Sequence, residues 1–387
     1  MPGCKKWTAI LLTLSLCLGL CACGGQGEGG TGGAADAVTL SDLTFDQPME
    51  LEYATQFTAA YSKEGYCRID VQDGNRCLVV PEGAAVPADV PKDMTIVQQP
   101  LDHIYLAATG MMDYFRALDG IGNVTLSSLE ADGWYIPEAK EAMETGAMTY
   151  AGKYRAPDYE RILSQGCDLA LENTMLYHTP EVKEELESLG VPVLVERSSY
   201  ESHPLGRMEW IKFCGILLGK EAEANACFQA QMDKLNQFAD LPGTEKTVAF
   251  FAITTSGGVT VRKPGDYVAK AIELAGGTYA FQDLNADENA QATTTLQMEA
   301  FYTGAKDADI LIYNSAIEGE LTTIDQLLDK SALLADFKAV RAGNVWCTGK
   351  NLFQESLGLG DMMVDFHTIF TDPAVSDDAL TYLHRLT

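Results

Sequence analysis

Short apolar strands alternate with stretches of helical period in two separate runs along this chain, and that alternation limits the fold more than any other feature. In the first run Met94-Thr95-Ile96-Val97, Asn123-Val124-Thr125-Leu126, Asp168-Leu169-Ala170-Leu171 and Val191-Pro192-Val193-Leu194-Val195 read as strands. Residues 101–118, with Ile104, Leu106, Ala107, Met111, Phe115 and Leu118 at helical spacing, read as a helix, as do 157–164 and 180–189. In the second run the strands are Val248-Ala249-Phe250-Phe251-Ala252-Ile253, Ile310-Leu311-Ile312-Tyr313 and Asn344-Val345-Trp346. The helices there are 267–274, closed by Gly276-Gly277, then 295–306, and a last one from Leu357. Strands separated by helices imply βαβ units and parallel sheets. Between the runs, 208–238 is helical in pattern, interrupted only by Gly215 and Gly219.

The two runs repeat one another. Pro157-Asp158-Tyr159-Glu160-Arg161-Ile162 followed by Cys167-Asp168-Leu169-Ala170-Leu171 has its counterpart in Thr295-Leu296-Gln297-Met298-Glu299-Ala300-Phe301 followed by Ala308-Asp309-Ile310-Leu311-Ile312. The expected organisation is an α/β lobe over 93–207, a linking helix over 208–240 and a second α/β lobe over 241–387. A lead-in occupies 38–92. Within it Cys67-Arg68-Ile69-Asp70-Val71 and Arg76-Cys77-Leu78-Val79-Val80 flank Asp73-Gly74, a strong hairpin signal. A two-residue turn there sets Cys77 opposite Asp70 and Val80 opposite Cys67, so no in-register Cys67–Cys77 disulfide is expected.

The front of the chain reads as an address. Lys5 and Lys6 precede an apolar stretch over 7–22 that is short for a bilayer-spanning helix and right for a signal peptide. It ends Leu20-Cys21-Ala22-Cys23, which resembles the bacterial lipobox. The resemblance implies cleavage after Ala22, removal of residues 1–22, and a lipid on the Cys23 thiol. An ordinary signal peptide or a membrane anchor is the competing reading. Residues 23–37, rich in glycine, form a flexible tether; without Gly-Lys-Ser/Thr they are no phosphate-binding loop. The full sequence carries a formal charge of −28, and cleavage removes two lysines and no acid. So acidic a chain lacks the basic footprint that nucleic acid or anionic lipid requires. Contact with the membrane is expected through the lipid alone.

In its body the sequence resembles class III periplasmic binding proteins, the iron-siderophore and vitamin B12 substrate-binding components of ABC importers. The resemblance runs from about Met94 to the C-terminus. It rests on the order and spacing of PDYERILSQGCDLAL, LESLGVPVLV, GILLGKEAEA, IELAGG and DFKAVRAGNVW. It implies two Rossmann-like α/β lobes with parallel sheets, joined by one long helix, with a ligand cleft between them. It also implies a monomer serving an ABC permease dimer and its cytoplasmic ATPase, with no catalytic residues and no cofactor. By that resemblance a Glu near the tip of each lobe docks on permease arginines, and the motif positions carry the role to Glu160 and Glu299. Each opens a helix, where the dipole favours a carboxylate; a merely solvated acid is the plain alternative.

The cleft lies where loops leave the carboxyl ends of the strands. Aromatic and polar candidates there are His103, Tyr105, Trp134, Tyr135, Asn173, Tyr200, His203 and Arg207 in the first lobe, and Arg262, Asn314, Lys350 and Phe353 in the second. Arg and Tyr suit a large, anionic ferric siderophore, through charge-assisted hydrogen bonds and stacking; a corrinoid or heme is the runner-up. Trp134 and Tyr135 serve lobe packing equally well, Arg207 a pairing within the linking helix, Arg262 a surface role, and His103 and His203 read first as ordinary polar residues. A free-metal binder is disfavoured by the five histidines and the absence of HExxH. A surface enzyme is disfavoured because Cys167 and Cys214 sit in apolar contexts and Ser256-Gly257-Gly258 is no nucleophile elbow.

Overall fold

The computed structural model describes residues 38–236, 243–284 and 293–387. The signal-peptide, lipidation and tether readings over 1–37 therefore lie outside the described residues, as does the end of the linking stretch at 237–240.

The lead-in is more than a hairpin. Gln47–Pro48, Phe57–Tyr61, Cys67–Val71, Arg76–Val80 and Met94–Gln98 form a five-stranded sheet in that order. The first four run antiparallel, and Met94–Gln98 lies parallel to Arg76–Val80. The strand Met94–Gln98, expected to open the first lobe, thus closes this N-terminal sheet instead. The hairpin register is one residue from the expected one: Asp70 faces Arg76, Ile69 faces Cys77 and Cys67 faces Val79. The cause is a three-residue turn, Gln72-Asp73-Gly74, in which the Val71 amide donates to the Asn75 carbonyl at 2.9 Å. Cys67 and Cys77 are both buried free thiols.

The first lobe is a five-stranded parallel sheet ordered Val193–Glu196, Leu169–Asn173, Ile104–Leu106, Val124–Ser127, Thr149–Tyr150. Its central strand, Ile104–Leu106, falls inside the stretch expected as one helix over 101–118. The apolar spacing there serves a strand, the turn Thr109–Met111 and a short helix Met112–Ala117, all buried on several sides at once. The second lobe is a seven-stranded mixed sheet. Thr247–Ile253, Ile310–Tyr313 and Val345–Thr348 are its parallel core, and antiparallel strands flank them, including the hairpin partner Val259–Arg262. Thr293–Leu296 is also an antiparallel strand, so the helix read over 295–306 is confined to Met298–Ala305.

The lobes are joined by a helical stretch in three pieces, Pro204–Glu209, Ile211–Leu218 and Glu221–Leu235. The middle piece ends at Gly219, in the left-handed conformation at φ +64, which is the helix-terminating geometry glycine adopts without strain. Gly215 does not interrupt the helix.

A backbone strap over 50–56 leads from the first strand of the N-terminal sheet across this hinge. Two carboxylates that no water reaches hold it. Glu209 accepts the amides of Glu52, Tyr53 and Ala54 at 2.8 to 3.0 Å, and Glu201 accepts those of Thr55 and Gln56 at 2.9 to 3.0 Å. Glu201 also takes the Trp210 indole N–H, and Lys212 Nζ bridges Glu209 to the Glu50 carbonyl. Buried carboxylates persist because every oxygen is answered. Gly206 faces the strap, and a Cβ there would stand 2.8 Å from the Tyr53 carbonyl oxygen.

Candidate functional site

Between the lobes lies a cleft of about 440 Å³. From the first lobe it takes residues at or just beyond the carboxyl ends of three parallel strands: 108–110, 173–175, and 196 with 198–200. From the hinge it takes Arg207, and from the second lobe Arg262, Asp266, Tyr267 and Phe353. Parallel strands end together, so a crevice lined by loops follows from the topology.

Arg207 is the central feature. It lies on Pro204–Glu209, 8% exposed, with its guanidinium 4.7 Å over the Tyr267 ring and one terminal nitrogen 3.2 Å from Ser356 Oγ. Its Nε has no hydrogen-bond partner among the described residues. A buried guanidinium with an unanswered donor is costly unless something else supplies an acceptor. Arg262, at the end of its strand, approaches from the other lobe: it pairs with Asp266 at 3.3 Å, and its guanidinium lies near the rings of Phe250, Tyr267 and Phe353.

Two carboxyls complete the polar set. Burial pushes Glu196 above the usual carboxylate range, against the pull of Ser198 and Arg207. Burial likewise raises Asp266, against Arg262; it caps the helix Tyr267–Leu274 through the Val268 amide at 2.9 Å. Two cationic groups, the two buried acids and the rings of Tyr200, Tyr267 and Phe353 can together grip a ligand that has flat apolar surface and polar groups.

Of the sequence candidates, the cleft gathers Asn173, Tyr200, Arg207, Arg262 and Phe353. Asn173 also caps the turn Thr174–His178 through the Met175 amide. The others lie elsewhere. His103 is exposed at the amino end of its strand, the end away from the cleft, and Tyr105 is buried, its hydroxyl donating to the Gly152 carbonyl at 2.8 Å. Trp134 packs inside the first lobe, with its indole N–H on Ser127 Oγ at 3.1 Å. Tyr135 is exposed; its amide donates to Gln354 Oε1 at 2.8 Å, Gln354 Nε2 donates to the Gly133 carbonyl at 2.7 Å, and Lys350 hangs over the Tyr135 ring. That set latches the lobes. His203 caps the hinge, Nδ1 accepting the Leu205 amide, and stacks on Tyr53 with centroids 5.2 Å apart. Burial, then Lys270, hold its pKa below the ordinary value. Asn314 is buried and caps its own helix through the Ala316 amide. Glu160 and Glu299 are exposed, and each is the second residue of its helix, Tyr159–Ser164 and Met298–Ala305.

Sequence reading missed Glu196, Asp266 and Tyr267. Glu196 follows a run of apolar residues at a strand's carboxyl end, where an acid is out of pattern. Asp266 precedes a clear helical period, as a capping residue does. Among the described residues no group of three or more His, Cys, Asp or Glu side chains is placed to hold a metal ion. No described helix is long and apolar enough to cross a membrane.

Two α/β lobes on a helical hinge, with a polar cleft between them, define a two-lobed solute-binding protein. The chain belongs to the Periplasmic binding protein family, whose profile matches residues 113–352, and the two-lobed, helix-linked architecture is that of class III. The family consists of substrate-binding proteins, not enzymes. Two uncharacterised lipoproteins of Methanocaldococcus jannaschii are related in sequence. One is 24% identical over 287 residues, covering 71% of this chain and 66% of the relative, a little under two thirds of its length. The other is 25% identical over 344 residues, covering 84% and 83%. Among solved structures, a periplasmic heme-binding protein of Pseudomonas aeruginosa matches with a TM-score of 0.58 at 18% identity, over 74% of this chain and 98% of its own. A catecholate-siderophore binding protein of Vibrio cholerae matches at 0.54 and 15%, over 70% and 94%. At these identities the likeness is one of fold. The family match begins after the N-terminal sheet.

Proposed function

We propose that this protein is the extracytoplasmic, lipid-anchored solute-binding subunit of an ABC importer and that it captures a ferric siderophore in the interlobe cleft. The observation that carries the reading is Arg207, a buried guanidinium with a spare donor that shares the Tyr267 ring with Arg262. An anionic chelate supplies the acceptor that Arg207 lacks. Heme or a corrinoid is the second reading, favoured by the aromatic walls of Tyr200, Tyr267 and Phe353, which suit a flat macrocycle.

The sequence of events is capture in the cleft, slight closure, docking and release. Glu160 and Glu299, exposed at equivalent helix starts, are the docking groups of this scheme. Cys23 is the lipid attachment site, a reading in keeping with the two lipoprotein relatives. Titrating the protein with a ferric tris-catecholate, hemin and cyanocobalamin, followed by tryptophan fluorescence, tests the ligand. Saturable quenching by the ferric chelate at micromolar concentration or below is expected. Saturation by hemin or cyanocobalamin alone replaces the siderophore reading with the second one, and no response to any of the three refutes both. The double variant Glu160→Ala, Glu299→Ala should bind normally and fail in uptake; normal uptake at normal expression refutes the docking role.

A further inference from the structure

The N-terminal sheet stands behind the wall of the cleft, and Arg197 joins the two. Arg197 lies between Glu196 and Ser198, residues that line the cleft, but its side chain turns toward the sheet. Its Nε donates to Gln56 Oε1 on the strap at 3.2 Å. Its NH1 stands 3.7 Å from Asp73 Oδ2 in the hairpin turn, with only 17% and 12% of the two side chains exposed. Its guanidinium lies 4.2 Å over the ring of Tyr200, which lines the cleft.

The same hairpin turn grips a second part of the wall. Tyr177 hydroxyl donates to Asp73, and Asn75 Nδ2 donates to the Tyr177 hydroxyl at 2.8 Å. Tyr177 belongs to the turn Thr174–His178, whose first residues, Thr174 and Met175, line the cleft. Two short, separately anchored turns on the first lobe's side of the cleft are thus tied to one point of the N-terminal sheet. Turns this short have little order of their own, so a fixed external anchor decides where they stand.

We infer that the N-terminal sheet is a structural part of the ligand site: the Gln72-Asp73-Gly74 turn and the strap hold Arg197, and Arg197 positions Tyr200 in the cleft. Arg197 is a positioning residue that acts through Tyr200. The brace is read from contacts alone; its effect on a ligand rests on the cleft being the binding site, as proposed above.

Hydrogen–deuterium exchange of the ligand-free protein tests the brace without any ligand. In Arg197→Ala and in Asp73→Ala, exchange across residues 174–178 and 198–203 should rise about tenfold, while Leu169–Asn173 stays protected; Arg197→Lys should restore part of the protection. Unchanged exchange in both turns overturns the inference, whatever the ligand proves to be. The second measurement is the affinity for hemin and for a ferric tris-catecholate. With whichever probe the unaltered protein binds, Arg197→Ala should weaken binding about tenfold, yet less than about twofold when introduced into Tyr200→Ala. Losses that simply multiply in the double variant overturn the route through Tyr200. If the unaltered protein binds neither probe, the siderophore reading fails and the exchange result decides the brace by itself.

Discussion

Arg207 and Glu172 are buried ionisable side chains that the fold leaves short of partners, and they call for opposite treatment. Arg207 faces the cleft. Replacing it with Met should weaken binding of the probe that saturates the protein by more than about tenfold and leave thermal stability unchanged or raised by about 1 kcal/mol, because a buried charge with an unpaired donor is removed. A loss of stability of several kcal/mol contradicts that role. Glu172 sits in the first lobe's core with neither oxygen bonded among the described residues, and burial pushes its carboxyl up to about 8. Because the folded value lies above the unfolded one, its contribution is most favourable below the ordinary carboxylate range and is lost as pH rises through about 8. Glu172→Gln should therefore stabilise the fold more at pH 8 than at pH 5, by roughly 1–3 kcal/mol. An equal effect at both pH values counts against the buried, protonated acid. The sequence shows both residues but not their isolation, since an arginine in a helical stretch and an acid in a strand reveal nothing of which neighbours the other lobe supplies.

At the scale of elements, the strap and hinge form one unit. Glu209 is held below its ordinary pKa: burial alone would raise it, but Lys212 and the strap amides outweigh burial. Its contribution is therefore complete at neutral pH and lost as the pH falls through its lowered value. Gly206→Ala should cost about 1–3 kcal/mol, since the added methyl meets backbone and not a side chain that can swing away. A neutral result in a denaturant titration would mean that the strap is loosely held. Most strands and helices were legible from periodicity, and the helix Tyr267–Leu274 agrees with its expected bounds. Two misplaced elements were decided by their neighbours. Ile104–Leu106 lies at the centre of a sheet, and Met94–Gln98 is claimed by a sheet whose other strands precede it. In the first case tertiary neighbours, not local pattern, chose the state; in the second the strand stands as read and the neighbours chose its sheet.

At the scale of the molecule, the N-terminal sheet, hinge and lobes are joined by polar contacts. The strap is fixed to the hinge, Asp113 accepts the Leu357 amide at 2.8 Å across the lobes, and Gln354 latches the loop that holds Gly133 and Tyr135. Calorimetry should show a single transition over the folded body, with a van't Hoff enthalpy close to the calorimetric one. Two separable transitions would mean that the sheet folds apart from the lobes. Gln354→Ala removes both latch bonds and should speed exchange at the Tyr135 amide without altering the first lobe's strands.

By itself the sequence determined the α/β class, the two-lobed repeat with a helical link and the glutamates at matching helix starts. Each of these is carried by local spacing, which adjacent residues impose on one another. It also brought out five of the residues that line the cleft, because strand ends are visible as breaks in apolar runs. What only the tertiary structure decided is which polar groups meet. Glu201 and Glu209 on the strap, Asp73 on Arg197 and Gln354 on the opposite lobe are pairings between residues far apart in the chain. Their energies come from shared burial, and burial is a property of the folded whole that no stretch of residues holds alone.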